Sequence, residues 1–124
     1  MTEQAVVILM DKFLRTVEED VKNGVPLDPT QWIERAMKIN AVMNSLIDRI
    51  SQLDIIVALA RRDLVVGLDE QGKPMTSAKA KIICDAMPEY QESARLQAKK
   101  KQAEEFIRLC KRRATMDSDT YLNQ

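Results

Sequence analysis

Residues 29–66 read PTQWIERAMKINAVMNSLIDRISQLDIIVALARRDLVV, a stretch with no glycine and with proline only at its first position. Asp28 before Pro29 marks the start: a side chain able to cap free amides, then a residue whose missing N–H costs nothing in the first helical turn. Gly67 supplies a left-handed stop. Between them Trp32, Ala36, Ile39, Met43, Leu46, Ile50, Leu53, Val57, Ala60 and Leu64 alternate steps of four and three, the period of a coiled-coil seam. At about 1.5 Å per residue such a helix is about 57 Å long, more than one small domain can cover. The pattern therefore predicts a long central helix that needs partners along its length. Ile33, Met37, Val42, Ile47, Ile55, Ile56, Leu59 and Val66 flank the seam and widen the apolar stripe, which suits packing against more than one helix.

Working outward, Val6, Leu9, Met10, Phe13, Leu14 and Val17 share one helical face, predicting a first helix over about 2–23 that Thr2 opens and Gly24 ends. Leu68 to Thr76, with Gly72 and Pro74, reads as a reversing loop. A third helix over 77–87 meets Pro88, where a break restarts the chain as a fourth helix over 88–114. Ile83, Met87, Tyr90 and Ala94 form one apolar stripe, and Leu96, Lys99, Ala103, Phe106 and Cys110 form another. Residues 115–124 lack any period and read as a polar, flexible tail. The expectation is an all-α protein with three to four helices in one domain over 1–114, a helical hairpin or elongated bundle that oligomerises through Trp32, Ile39, Met43, Leu46, Ile50, Leu53, Val57 and Leu64.

Composition agrees with helix: 124 residues are 45% hydrophobic and 31% charged, with three Gly and four Pro. Ala5 to Met10 is too short to span a membrane and follows Glu3, so neither a membrane span nor an export signal is read. A cytoplasmic setting follows, that of a host cell if the chain is phage-encoded, with Cys84 and Cys110 as reduced, buried thiols. The chain has no histidine, which removes Ser-His and Cys-His nucleophiles, His-bound metals and the Glu-x-x-His pairs of di-iron bundles. Gly24, Gly67 and Gly72 stand apart and form no phosphate-cradling loop. Glu18-Glu19-Asp20 reads as a solvated helix end. No catalytic, metal-ligating or cofactor-binding residue is assigned, and the chain is expected not to be an enzyme.

The 19 basic and 19 acidic residues cancel, yet their placement is uneven. Arg95, Lys99, Lys100, Lys101, Arg108, Lys111, Arg112 and Arg113 stand against only Glu104 and Glu105 between them. Such a ridge can neutralise phosphates without reading bases. It is equally what a helix end gathers to complement its dipole. Few aromatics accompany it, so base stacking has little to work with.

The segments Thr76-Ser77-Ala78-Lys79-Ala80-Lys81-Ile82-Ile83 through Pro88-Glu89-Tyr90, and Glu104-Glu105-Phe106-Ile107-Arg108-Leu109-Cys110-Lys111-Arg112-Arg113, resemble small helical proteins of tailed bacteriophages. The layout from Glu19-Asp20-Val21 and Leu27-Asp28-Pro29-Thr30 through the long helix to the basic last helix is loosely similar to the recombination mediators of T-even phages. That resemblance implies an oligomer that binds single-stranded DNA through the eight basic residues and contacts a recombinase or single-strand-binding protein. The neutral total charge and acidic first half depart from that pattern. The other reading is a protein-binding module, such as a phage inhibitor of a host enzyme or defence system, with no nucleic-acid role.

Overall fold

The structure, a computed structural model, describes residues 3–67 and 71–122, with side chains over 4–67 and 71–116. Four helices follow one another among the described residues: α1 (Glu3–Lys22), α2 (Pro29–Val66), α3 (Ser77–Asp85) and α4 (Pro88–Leu122). Thr2, read as the cap of the first helix, and Leu68, with which the reversing loop opens, lie outside them.

Local chemistry explains each boundary. Gly24 has φ +62, and two bonds close the end of α1: Gly24 N–H to Val21 O at 3.2 Å and Val25 N–H to Asp20 O at 3.0 Å. This is the six-to-one and five-to-two pair of a glycine-terminated helix. At the head of α2, Gln31 N–H donates to Asp28 Oδ1 and Asp28 N–H donates to Gln31 Oε1, both at 2.9 Å. This reciprocal box satisfies two amides the helix leaves open. Thr76 caps α3 by accepting from Lys79 N–H at 3.2 Å. Ala86 N–H and Met87 N–H then turn back onto Ile83 O and Cys84 O, and Pro88 opens α4 in the first-turn position that needs no donor.

The chain forms two compact units, Met1–Ile47 with Lys99–Gln124, and Asp48–Ala98. A helix as long as α2 outruns a single small core, and it gives its first part to one unit and its second part to the other.

In the first unit, Val6, Met10, Leu14 and Val17 of α1 are buried with Trp32, Ala36, Ile39, Val42 and Leu46 of α2 and with Ala103, Cys110 and Ala114 of α4. Each large side chain fully buried here contributes about 1.5–3 kcal/mol. The small residues of α4 let that helix approach closely. Two ion pairs stitch the helices: Lys99 Nζ to Asp11 Oδ1 at 2.6 Å and Arg35 Nη2 to Asp20 Oδ2 at 3.1 Å.

In the second unit the buried set is smaller: Ile50 and Leu53 of α2, Ala80 and Cys84 of α3, Leu96 and Ser93 of α4. Polar contacts carry more of the fixing. The Arg49 guanidinium meets the Glu92 carboxylate with both bonds at 3.2 Å, the two-pronged geometry that makes such pairs strong. Buried Ser93 is satisfied, donating to Asp54 Oδ1 at 2.7 Å and accepting from Gln97 Nε2 at 3.1 Å. Arg61 Nη2 reaches Ser77 Oγ at 3.1 Å and joins α2 to α3.

Several sequence expectations are corrected. Gly67 is not left-handed, since only Gly24 and Gly72 have positive φ among the described residues. Its N–H still donates to Asp63 O at 3.0 Å, and a Cβ there would come within 3.1 Å of that oxygen. Closeness to the helix's own carbonyl, not handedness, favours glycine at this point. The stripe Ile83, Met87, Tyr90, Ala94 is not the buried line: Tyr90 is 42% and Ile83 39% exposed. Pro88 resets the helical phase, so the two halves of that stripe do not share a helix. The backbone also stays helical past residue 114, to Leu122, because extending a formed helix needs only one bond per residue.

Candidate functional site

α4 carries the eight basic residues singled out from the sequence, and the fold divides them. Leu96, Ala103, Cys110 and Ala114 set its inner line. At about 100° per residue, Lys101, Arg108 and Arg112 lie roughly 140° to 180° around the helix from Ala103, with Lys111 beside them. All four are exposed, lie in the first unit, and have no ion-pair partner among the described residues. Lys99 faces inward to Asp11 and also donates to Gln102 Oε1 at 3.2 Å. Lys100 sits 3.9 Å from Glu104 one turn on, and Arg113 is half-buried. Arg95 is exposed but belongs to the second unit.

The outer face thus presents three cations with Glu105 among them, and Lys111 stands exposed on its flank. Flexible Lys101 and Lys111 act as point charges, while Arg108 and Arg112 offer planar forks suited to carboxylate or phosphate oxygens. It can hold a polyanion.

The helix-seam residues all lie on α2. Trp32, Ile39, Leu46, Ile50 and Leu53 are buried, and Met43, Val57 and Leu64 are half-buried. The burial arises within the single chain, against α1 and α4 in one unit and against α3 and α4 in the other. The residues left bare on α2 are Ile33, Met37, Ile55, Ile56, Leu59, Val65 and Val66, each at least 40% exposed.

A second basic feature went unread in the sequence. Lys12, Phe13 and Thr16 of α1 and Arg35 and Lys38 of α2 line a shallow cleft of ≈170 Å³ in the first unit. Its cations come from helices that only the fold brings together. Arg35 is drawn inward by Asp20, and its Nε is buried without a hydrogen-bond partner.

Beside this pair sits Cys110, fully buried and unoxidised. Burial pushes its thiol from an ordinary 9.0 up to about 11; Arg35 opposes that shift and Asp20 adds to it. The folded chain therefore holds the neutral thiol, and the unfolded chain ionises first. This contribution to stability is complete below pH 9.0 and is lost as pH rises through about 11. Urea melts at pH 8 and pH 11 are expected to show a larger fall for the parent than for Cys110→Ala. Equal falls would show that the thiol is not the titrating group.

Among the described residues no cluster of potential metal ligands occurs, and no helix is long and apolar enough to cross a membrane. The chain matches no protein-family profile, no curated protein and no solved structure.

Proposed function

We propose that this chain is a non-catalytic, self-associating accessory protein of DNA recombination or replication, acting as the phage mediators it resembles are expected to act. It binds single-stranded DNA phosphates through α4 and holds the strand close to a recombinase or single-strand-binding protein. The observation that carries this reading is the exposed set of Lys101, Arg108 and Arg112, opposite the buried line of the same helix, with Lys111 exposed on its flank. Four contacts on a neutral chain bind weakly. Association multiplies them, because each added copy binds the same strand at high effective concentration.

Lys99, Lys100 and Arg113, already paired or half-covered, serve the fold more than the strand. The test is fluorescence anisotropy of a labelled single-stranded oligonucleotide as salt is raised. Replacing Lys101, Arg108, Lys111 and Arg112 together by Gln is expected to flatten the log–log salt slope by roughly 3, at about 0.7 per lost phosphate contact. The helical signal should be unchanged. A variant with the parent's affinity and slope would sink the proposal.

A protein-binding module is the second reading. It is favoured by Ile33 and Met37, 40% and 66% exposed one turn apart on α2 of the first unit. In that case Ile33→Ser with Met37→Ser abolishes capture of a host protein, and the four-Gln variant leaves it intact.

A further inference from the structure

We propose that the outer face of α2 in the second unit pairs with the same face of a second copy, antiparallel, and that this stripe is the interface by which the chain self-associates. The inference deepens the self-association in the proposed function. It does not depend on DNA.

Ile55, Ile56, Leu59 and Val66 are 59%, 42%, 46% and 77% exposed. Relative to buried Leu53, Ile55, Leu59 and Val66 lie roughly 120° to 160° around the helix. The inner side of this stretch is occupied: Arg49 and Asp54 hold α4 through Glu92 and Ser93, and Arg61 holds α3 through Ser77. This part of α2 thus carries apolar residues on both sides, Ile50 and Leu53 inward and Ile55, Leu59 and Val66 outward. A helix of that kind is normally covered on both sides, and a contiguous apolar surface on a soluble chain marks an interaction site.

Charge selects the occupant and its direction. Asp48, Gln52, Ile55, Leu59, Arg62 and Val66 recur at steps of four and three, all exposed, the spacing of a two-helix seam. An acid stands at one end and a base near the other. Parallel copies would set Asp48 against Asp48 and Arg62 against Arg62. Antiparallel copies crossing at residue 57 set Ile55 against Leu59 of the second copy, and Gln52 against its Arg62. Asp48 then faces Val66 of the second copy and lies about one turn from its Arg62, which in its own chain meets Asp63 at 3.4 Å in an exposed pair. The stripe is complementary to itself, as an isologous two-fold interface requires.

The test is mass in solution by light scattering over a range of concentrations, with helical signal and melting as controls. The parent is expected to exceed the monomer mass. Ile55→Asp with Leu59→Asp is expected to give a folded monomer, its dissociation constant raised roughly a hundredfold or more by charges placed in the apolar contact. Arg62→Asp is expected to weaken association roughly tenfold, and Asp48→Arg added to it to restore most of the loss. This pair serves as the test should the double aspartate variant fail to fold. A parent that self-associates together with variants of unchanged mass overturns the stripe but leaves self-association standing. A parent that is monomeric throughout overturns both.

Discussion

A Leu53→Asp chain is expected to lose the cooperative melting of the unit formed by residues 48–98. Leu53 is 0% exposed, and truncation of such a leucine to alanine alone costs about 2–5 kcal/mol. Aspartate adds a carboxylate with no partner among Ile50, Ala80, Cys84 and Leu96, the apolar part of this unit's buried set. The sum approaches the whole stability of a small domain, about 5–15 kcal/mol, in a unit whose buried set is already small. Ile55→Asp, two residues on, should change the melt of the dissociated chain, compared at concentrations where parent and variant are both monomeric, by no more than about 0.5 kcal/mol, because in the single chain the side chain faces water. Thermal and urea melts by circular dichroism check both. A Leu53→Asp variant that melts like the parent would show that α2 is packed in the wrong phase.

Asp20→Ala is expected to destabilise the first unit by about 1–3 kcal/mol. The loss comes less from the ion pair than from what it leaves behind: Arg35 keeps a charged side chain only 32% exposed, 3.1 Å from an empty position, beside a Nε already without a hydrogen bond. The exposed third of that side chain lets water screen the charge, which holds the figure below the cost of a fully buried break. Arg35→Met on top of Asp20→Ala should recover most of the loss by removing the stranded charge and keeping the stem. A double-mutant cycle measures the coupling. The Cys110 thiol reports independently: without Asp20 it should titrate lower, and without Arg35 higher, following the directions in which each now acts. Additive losses and an unmoved thiol would contradict this arrangement.

The architecture was readable where local chemistry is self-announcing. The Asp28-Pro29 start and the long helix that follows it could be read directly, because caps and helical period are written in neighbouring residues. The identity of what covers the seam was not. The same period serves a helix packed on its own chain and one packed on a copy, and only the fold shows α1, α3 and α4 taking the inner side. Lys99 illustrates the limit at the candidate site. Its place on the stripe of Leu96, Ala103 and Cys110 was legible, but its partner Asp11, 88 residues away, was not, and it was counted with the outward cations. The same holds for Lys12 and Lys38, brought to one cleft from two helices. Gly67 shows the converse, a glycine whose position was right and whose conformational reason was not.

One measurement bears on the whole functional account: light-scattering mass after gel filtration, with and without a fluorescent single-stranded oligonucleotide, at low and moderate salt. The account predicts a defined oligomer that carries the oligonucleotide at low salt and releases it as salt rises. A protein that elutes free of the oligonucleotide at low salt, whatever its mass, would contradict it and leave the basic face of α4 a solvated surface.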